Sequence, residues 1–118
     1  SGFAVIAAGF FPSISREEHF AQKLHAYTMP RQDRANTRVK DLVDLVLLIE
    51  SAVMDAERLR RAIADTFQRR ETHAVPHTLE PPPDFWEPVF KKLAAECGLD
   101  CDMDAQFEKV AFYCRTIF

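Results

Sequence analysis

The sequence predicts a mainly all-α fold of about five helices in one compact domain, with a single short N-terminal strand left open at residues 3–11. Three observations carry that expectation. Apolar residues recur at three- and four-residue spacing in five separate segments. Prolines and the one glycine beyond the N-terminal stretch fall at the ends of those segments or between them. The length, 118 residues, suits one domain and is too short for two.

Residues 3–11 are apolar with little polar alternation. They suit a buried strand or a loop packed on a core, and nine positions do not separate the two. Ser15-Arg16-Glu17-Glu18 is a capping box that opens the first helix, with Phe20, Leu24 and Tyr27 at helical spacing and Met29-Pro30 as its stop. After a polar link (Arg31 to Asn36), Asn36 or Thr37 caps a second helix. Its apolar residues, Val39, Leu42, Val43, Val46, Leu47 and Ile49, wrap far enough round to place it at the centre of the fold. Asp55 caps a third, striped by Leu59, Ala62, Ile63, Thr66 and Phe67. Glu71 to Pro83 holds four of the seven prolines and no helical period, so it reads as a long surface connection. Asp84-Phe85-Trp86-Glu87 resembles a further capping box, with Phe85, Val89 and Leu93 as the apolar face, Trp86 beside them, and Gly98 at the end. The last helix is expected from about Asp104 to Arg115, burying Phe107, Val110, Ala111 and Cys114.

Composition narrows the chemistry. Fifteen basic against eighteen acidic residues give a net charge of −3, which argues against strong nonspecific attraction to nucleic acid. Three glycines nearly exclude a phosphate-cradling glycine loop. No apolar run approaches the roughly 18 residues of a membrane span, and the N-terminus lacks the basic start of a secretory signal. Cys97, Cys101 and Cys114 make an odd set without a disulfide framework, which reads as reduced thiols in the cytoplasm.

The densest polar group lies across the first two helices: Lys23 on one, and Arg38, Lys40, Asp41 and Asp44 on the other. Asp41 and Asp44 are spaced i, i+3 and share a face; Lys40 and Asp44 are spaced to pair. Such a group either holds Mg²⁺ and phosphate or forms a solvated, salt-bridged helix face.

Gln22-Lys23-Leu24-His25-Ala26-Tyr27, followed by Asn36-Thr37-Arg38-Val39-Lys40-Asp41-Leu42-Val43-Asp44-Leu45, resembles the nucleotidyltransferase AbiEii/AbiGii toxin family. Ala62 to Arg70, Thr72-His73, the proline-rich link and Trp86 continue the resemblance, which spans residues 10–95. It implies an NTP-using enzyme of the polymerase-β-like superfamily, a toxin of a toxin–antitoxin system, with an antitoxin and tRNA as partners and Mg²⁺ and NTP at the site of the intact enzyme. By the same resemblance Lys23 meets the triphosphate, Asp41 and Asp44 line the active site, and Arg38 and Lys40 flank it.

Two departures qualify that picture. Gln22 stands where the family has Asp or Glu, and the family's Gly-Ser followed by Asp-x-Asp does not occur upstream. Asp100-Cys101-Asp102 spells Asp-x-Asp far downstream, at a helix–helix turn. The expectation is therefore a C-terminal helical half that lacks its metal-binding core and is inactive alone, partnered by a missing N-terminal nucleotidyltransferase half. The alternative is a non-catalytic helical module for protein interaction or dimerisation; exposed Phe10, Phe11 and Phe118 would favour homo-oligomers. Cys97 and Cys101 have zinc-ligand spacing, and His73 and His77 are i, i+4, but buried free thiols and surface histidines are the simpler reading, with no metal assigned. His25 is expected to pack or orient. Arg58, Arg60, Arg61, Arg69 and Arg70 suit RNA phosphates or a solvated face.

Overall fold

The computed structural model describes residues 14–30, 37–51 and 53–118. Among them are five α-helices and no strand: α1 (Arg16–Thr28), α2 (Thr37–Ser51), α3 (Ala56–Arg70), α4 (Glu87–Glu96) and α5 (Met103–Ile117), with a 3-10 turn at Asp84–Trp86 before α4. The mainly α expectation holds. The suggested N-terminal strand, Phe10-Phe11, the polar link, the Asn36 cap and Ala52 lie outside the described residues.

The start of α1 is the predicted capping box: Ser15 Oγ accepts from the Glu18 N–H at 3.0 Å, and Glu18 Oε1 accepts from the Ser15 N–H at 3.2 Å. Two donors that the helix leaves without carbonyl partners are thereby satisfied reciprocally. Met29 takes an extended conformation and ends the helix ahead of Pro30. The α2 helix is central, packing against α1, α4 and α5. Its Val39, Leu42, Leu45 and Val46 are fully buried, each stabilising the fold by about 1.5–3 kcal/mol.

Asp55 caps α3 as predicted, accepting from the N–H groups of Glu57 at 2.9 Å and Arg58 at 3.3 Å. A second carboxylate joins it from α1: Glu17 Oε2 accepts from the Asp55 N–H at 2.8 Å. One side chain thus sets how α1 meets the start of α3, the helix against which α1 packs most extensively. The hydrogen bond from the Asp55 backbone holds the Glu17 carboxyl below its ordinary 4.5. A lowered carboxyl contributes stability above its unfolded value and loses it as the pH falls through the folded one. Glu17→Gln is therefore expected to cost about 1 kcal/mol at pH 7, with the gap from the wild type closing below pH 4.5. Urea unfolding at the two pH values measures this, and an equal gap at both would refute it.

The α3 helix ends at Glu71, whose φ of 54° is left-handed. That turn sends the chain back along α1 as an irregular strap, residues 71–83, which Tyr27 fastens by donating its hydroxyl to the Glu80 carbonyl at 2.9 Å.

The entry to α4 departs from expectation. Asp84 is not an α-helix cap: Asp84, Phe85 and Trp86 form a 3-10 turn that follows Pro83 without a side-chain cap, and Pro88 sits in the first turn of α4. The buried face is Trp86, Phe90 and Ala94, all fully buried, with Val89 and Leu93 only partly so; Phe85 is exposed. Trp86, Phe90 and Ala94 keep the same four-residue spacing as the predicted Phe85, Val89 and Leu93, so the buried stripe lies one residue further along the chain. At the other end, Gly98 has φ +74°. Its N–H reaches the Ala95 carbonyl at 3.2 Å and the Leu99 N–H reaches Ala94 at 2.8 Å, the two bonds of a Schellman cap.

Asp102 caps α5 through the Ala105 N–H at 3.1 Å, while Asp100 Oδ1 accepts from the Asp102 N–H at 2.9 Å. The downstream Asp-x-Asp is thus a turn and a helix cap. Buried Phe107, Val110, Ala111 and Cys114 match the predicted face, and Met103, Gln106 and Ile117 extend it.

Candidate functional site

The α1 and α2 helices cross so that Lys23 faces the polar stripe of α2. Lys23 Nζ lies 2.9 Å from Asp44 Oδ2 and 3.7 Å from Asp41 Oδ1. Arg38 Nη1 donates to the other oxygen of Asp41 at 2.7 Å. Four of the five predicted site residues therefore form one network, two cations alternating with two carboxylates. Lys40 is exposed and makes no ion pair among the described residues; the partner of Asp44 is Lys23, not the i, i+4 lysine.

Burial grades the network. The Asp41 side chain is 7% exposed, Asp44 21%, and both cations 27%. Asp41 is thus the inner anchor, and Lys23 and Arg38 lead outward to solvent. The hydrogen bond to Asp44 raises the Lys23 amine above its ordinary 10.5, so it stays charged across the physiological range. Arg38 Nε is buried and has no hydrogen-bond partner among the described residues. Chemically this is a pair of preoriented cations, each with donor capacity left over, backed by carboxylates that fix their positions.

The same arrangement does not make a divalent metal site. Both oxygens of Asp41 already face cations, one oxygen of Asp44 does too, and no cluster of three His, Cys, Asp or Glu with metal-ligand geometry occurs among the described residues. Cys97 and Cys101 belong to no such cluster among the described residues either. All three cysteines are free: Cys97 exposed, Cys101 half-buried and Cys114 buried, where desolvation pushes its thiol up to about 12. Cys97 thus departs from the expected buried thiols.

His77 is exposed as expected, but His73 is not a surface histidine. It packs with His25 and Phe67 beneath the strap and hydrogen-bonds Thr28 and Thr72. His25 packs, as predicted, at 1% exposure. Thr28 and Thr72 had no sequence signal as a pair, because 44 positions of chain separate them. The five arginines of α3 are all exposed; Arg60 pairs with Glu57 and donates to the Ile117 carbonyl. No helix among the described residues is long and apolar enough to cross a membrane.

Comparison with known proteins agrees with the motif reading and extends it. The family model for the nucleotidyl transferase AbiEii toxin of type IV toxin–antitoxin systems matches residues 6–109. No curated protein and no solved structure gives a significant match. The match takes in the whole Lys23–Asp41–Asp44–Arg38 network, the strap and the first half of α5, and the chain belongs to the nucleotidyl transferase AbiEii toxin family.

Proposed function

We propose that this chain supplies the phosphate-binding helical part of an NTP-dependent nucleotidyltransferase toxin, with tRNA as the acceptor. The observation that carries the reading is Lys23, charged, 27% exposed and held between Asp44 and Asp41 within the family-matched segment. Lys23 and Arg38 take the triphosphate, and the buried Arg38 Nε–H without a partner among the described residues suits such an anion. Asp41 and Asp44 hold the two cations in place and help position the reacting group. Lys40, exposed beside them, contributes charge at the rim.

Nucleotidyl transfer also requires carboxylates free to hold Mg²⁺. The network leaves a single oxygen of Asp44 uncommitted, too little to hold the metal, and the sequence contains no Gly-Ser followed by Asp-x-Asp. The metal therefore enters with the nucleotide and a separate nucleotidyltransferase half, and these 118 residues alone do not catalyse transfer. An antitoxin partner follows from the toxin–antitoxin family.

A thermal-shift titration with each Mg²⁺–NTP tests the reading, because a ligand that binds only the folded state raises Tm. At a nucleotide concentration 100 times Kd the stabilisation is about 2.7 kcal/mol. Lys23→Ala is expected to weaken binding by about tenfold or more, the loss of one charge-assisted contact, and to abolish most of the shift. No shift with any nucleotide would favour the second reading, a helical interaction module. That reading draws on the exposed apolar side chains of Val53, Phe85, Phe112 and Phe118.

A further inference from the structure

A second polar group occupies the side of α1 that faces α3 and the strap. His25 packs against Phe67, ring centroids 4.9 Å apart, and against His73 at 4.6 Å. His25 Nε2 lies 2.8 Å from Thr72 Oγ1, Thr72 Oγ1 lies 2.9 Å from His73 Nδ1, and His73 Nε2 lies 2.8 Å from Thr28 Oγ1.

The direction of these bonds follows from one hydroxyl. Thr28 gives its single hydrogen to the Leu24 carbonyl at 2.8 Å, so toward His73 it can only accept. His73 Nε2 therefore carries a proton. In a neutral ring Nδ1 is then an acceptor, and it takes the hydrogen of Thr72. Thr72, with its hydrogen used, accepts from His25 Nε2–H. The chain runs one way, from His25 through Thr72, His73 and Thr28 to the Leu24 carbonyl, and it fixes both histidines as Nε2–H tautomers.

We propose that this chain is a proton-sensitive latch, pinning the strap to α1 while both imidazoles are neutral and releasing it on acidification. Protonating His73 turns Nδ1 from acceptor to donor and aims it at a Thr72 oxygen that already accepts from His25, so the Thr72 hydroxyl, which is exposed, must turn its hydrogen away from His73 and the one-way chain is broken. Protonating His25 sets a cation against His73. The groups that face the pair offer no compensation. From α3 come Phe67 and the cation Arg70, from the strap Thr72, and from α1 Thr28; no carboxylate pairs with either ring among the described residues. Burial accordingly holds both imidazoles below their ordinary 6.5, with His73 and Arg70 adding to the effect on His25.

The sign is fixed by linkage. The released state binds protons at 6.5 and the latched state only lower, so latching is fully favoured above pH 6.5 and weakens as the pH falls toward the folded values. Within that window each imidazole favours release by up to about tenfold per pH unit. The bond from Tyr27 to the Glu80 carbonyl holds no titrating imidazole, so the part set free is residues 72–79. Pro76, Thr78 and Leu79 of that part, continued by Glu80, Pro81 and Pro83, form one wall of a cleft of about 870 Å³ whose other wall is Tyr27 to Pro30.

Two measurements test the latch on the intact chain. Nitrogen-15 NMR of the imidazole rings at pH 7.5 is expected to show Nε2–H at both His25 and His73; an Nδ1–H tautomer at His73 overturns the proposal. Thermolysin cleavage before Val75 and Leu79, normalised at each pH to the free strap peptide, is expected to accelerate by about tenfold or more between pH 6.5 and 5.5. The His25→Gln/His73→Gln variant is expected to lose that pH dependence. A wild-type rate that ignores pH, or a double variant that responds like the wild type, overturns it; if the variant does not fold, the tautomer result still decides.

Discussion

Trp86→Ala is expected to destabilise the fold by about 3–5 kcal/mol, the largest effect of any single truncation in the chain. Native domains of this size are stable by only about 5–15 kcal/mol, so the variant sits near the edge of unfolding. The reason is the place of Trp86 in the fold. It is fully buried in the last position of the 3-10 turn, stacked edge-on against Tyr27 at 6.1 Å and 69°. Tyr27 in turn fastens the strap through Glu80. Removing the indole opens a cavity where α4 and the strap come together over the end of α1. Thermal unfolding is expected to show Tm lower by roughly 12–20 °C. Phe85→Ala is the control: Phe85 is 58% exposed, and its loss is expected to cost less than about 0.5 kcal/mol. If the two variants behaved alike, the face of α4 assigned here would be wrong.

That pair of residues also shows where the sequence was legible and where it was not. Spacing within one helix is local, and the caps at Ser15, Asp55 and Gly98 are local chemistry, so the number of helices, most of their ends and the central place of α2 could be read directly. The phase of α4 could not. Val89 and Leu93 fit a period that starts at Phe85, Phe90 and Ala94 fit the same period started at Trp86, and the packing of α4 against α2 selects the second. The site divides in the same way. Asp41 and Asp44 share a face by arithmetic, and Lys23 stood out beside them as the cation of the densest polar group, with the family motif supplying its expected role. Spacing favoured Lys40, four residues from Asp44, over Lys23, twenty-one residues away; the crossing of α1 over α2 decides for Lys23. The imidazole–hydroxyl chain depends on the left-handed turn at Glu71 bringing the strap back across α1, a tertiary event without a local signature.

Asp41→Ala is expected to cost about 1–3 kcal/mol, several times the effect of Asp44→Ala. Asp41 is 7% exposed and touches both cations; Asp44 is 21% exposed and touches only Lys23, which would keep Asp41 as a partner. Losing Asp41 leaves Arg38 with no carboxylate among the described residues and its Nε already buried without an acceptor there. The full penalty for a broken buried pair, about 3–5 kcal/mol, is discounted because Arg38 and Lys23 are each 27% exposed and partly screened. The double variant Arg38→Met/Asp41→Leu removes the stranded charge together with its partner, and is expected to recover about 1–2 kcal/mol relative to Asp41→Ala. Nucleotide binding should not recover with it, because the guanidinium that meets the phosphates is gone. This split between stability and binding separates the two meanings of the network. A solvated salt-bridge face would leave nucleotide binding, if any, unchanged in the double variant. A phosphate site would lose it while the helices stay folded. Urea denaturation and the Mg²⁺–NTP thermal shift, run side by side on the four proteins, give both quantities. An Asp41→Ala variant as mild as Asp44→Ala would refute the graded burial on which the assignment of Asp41 as the inner anchor rests.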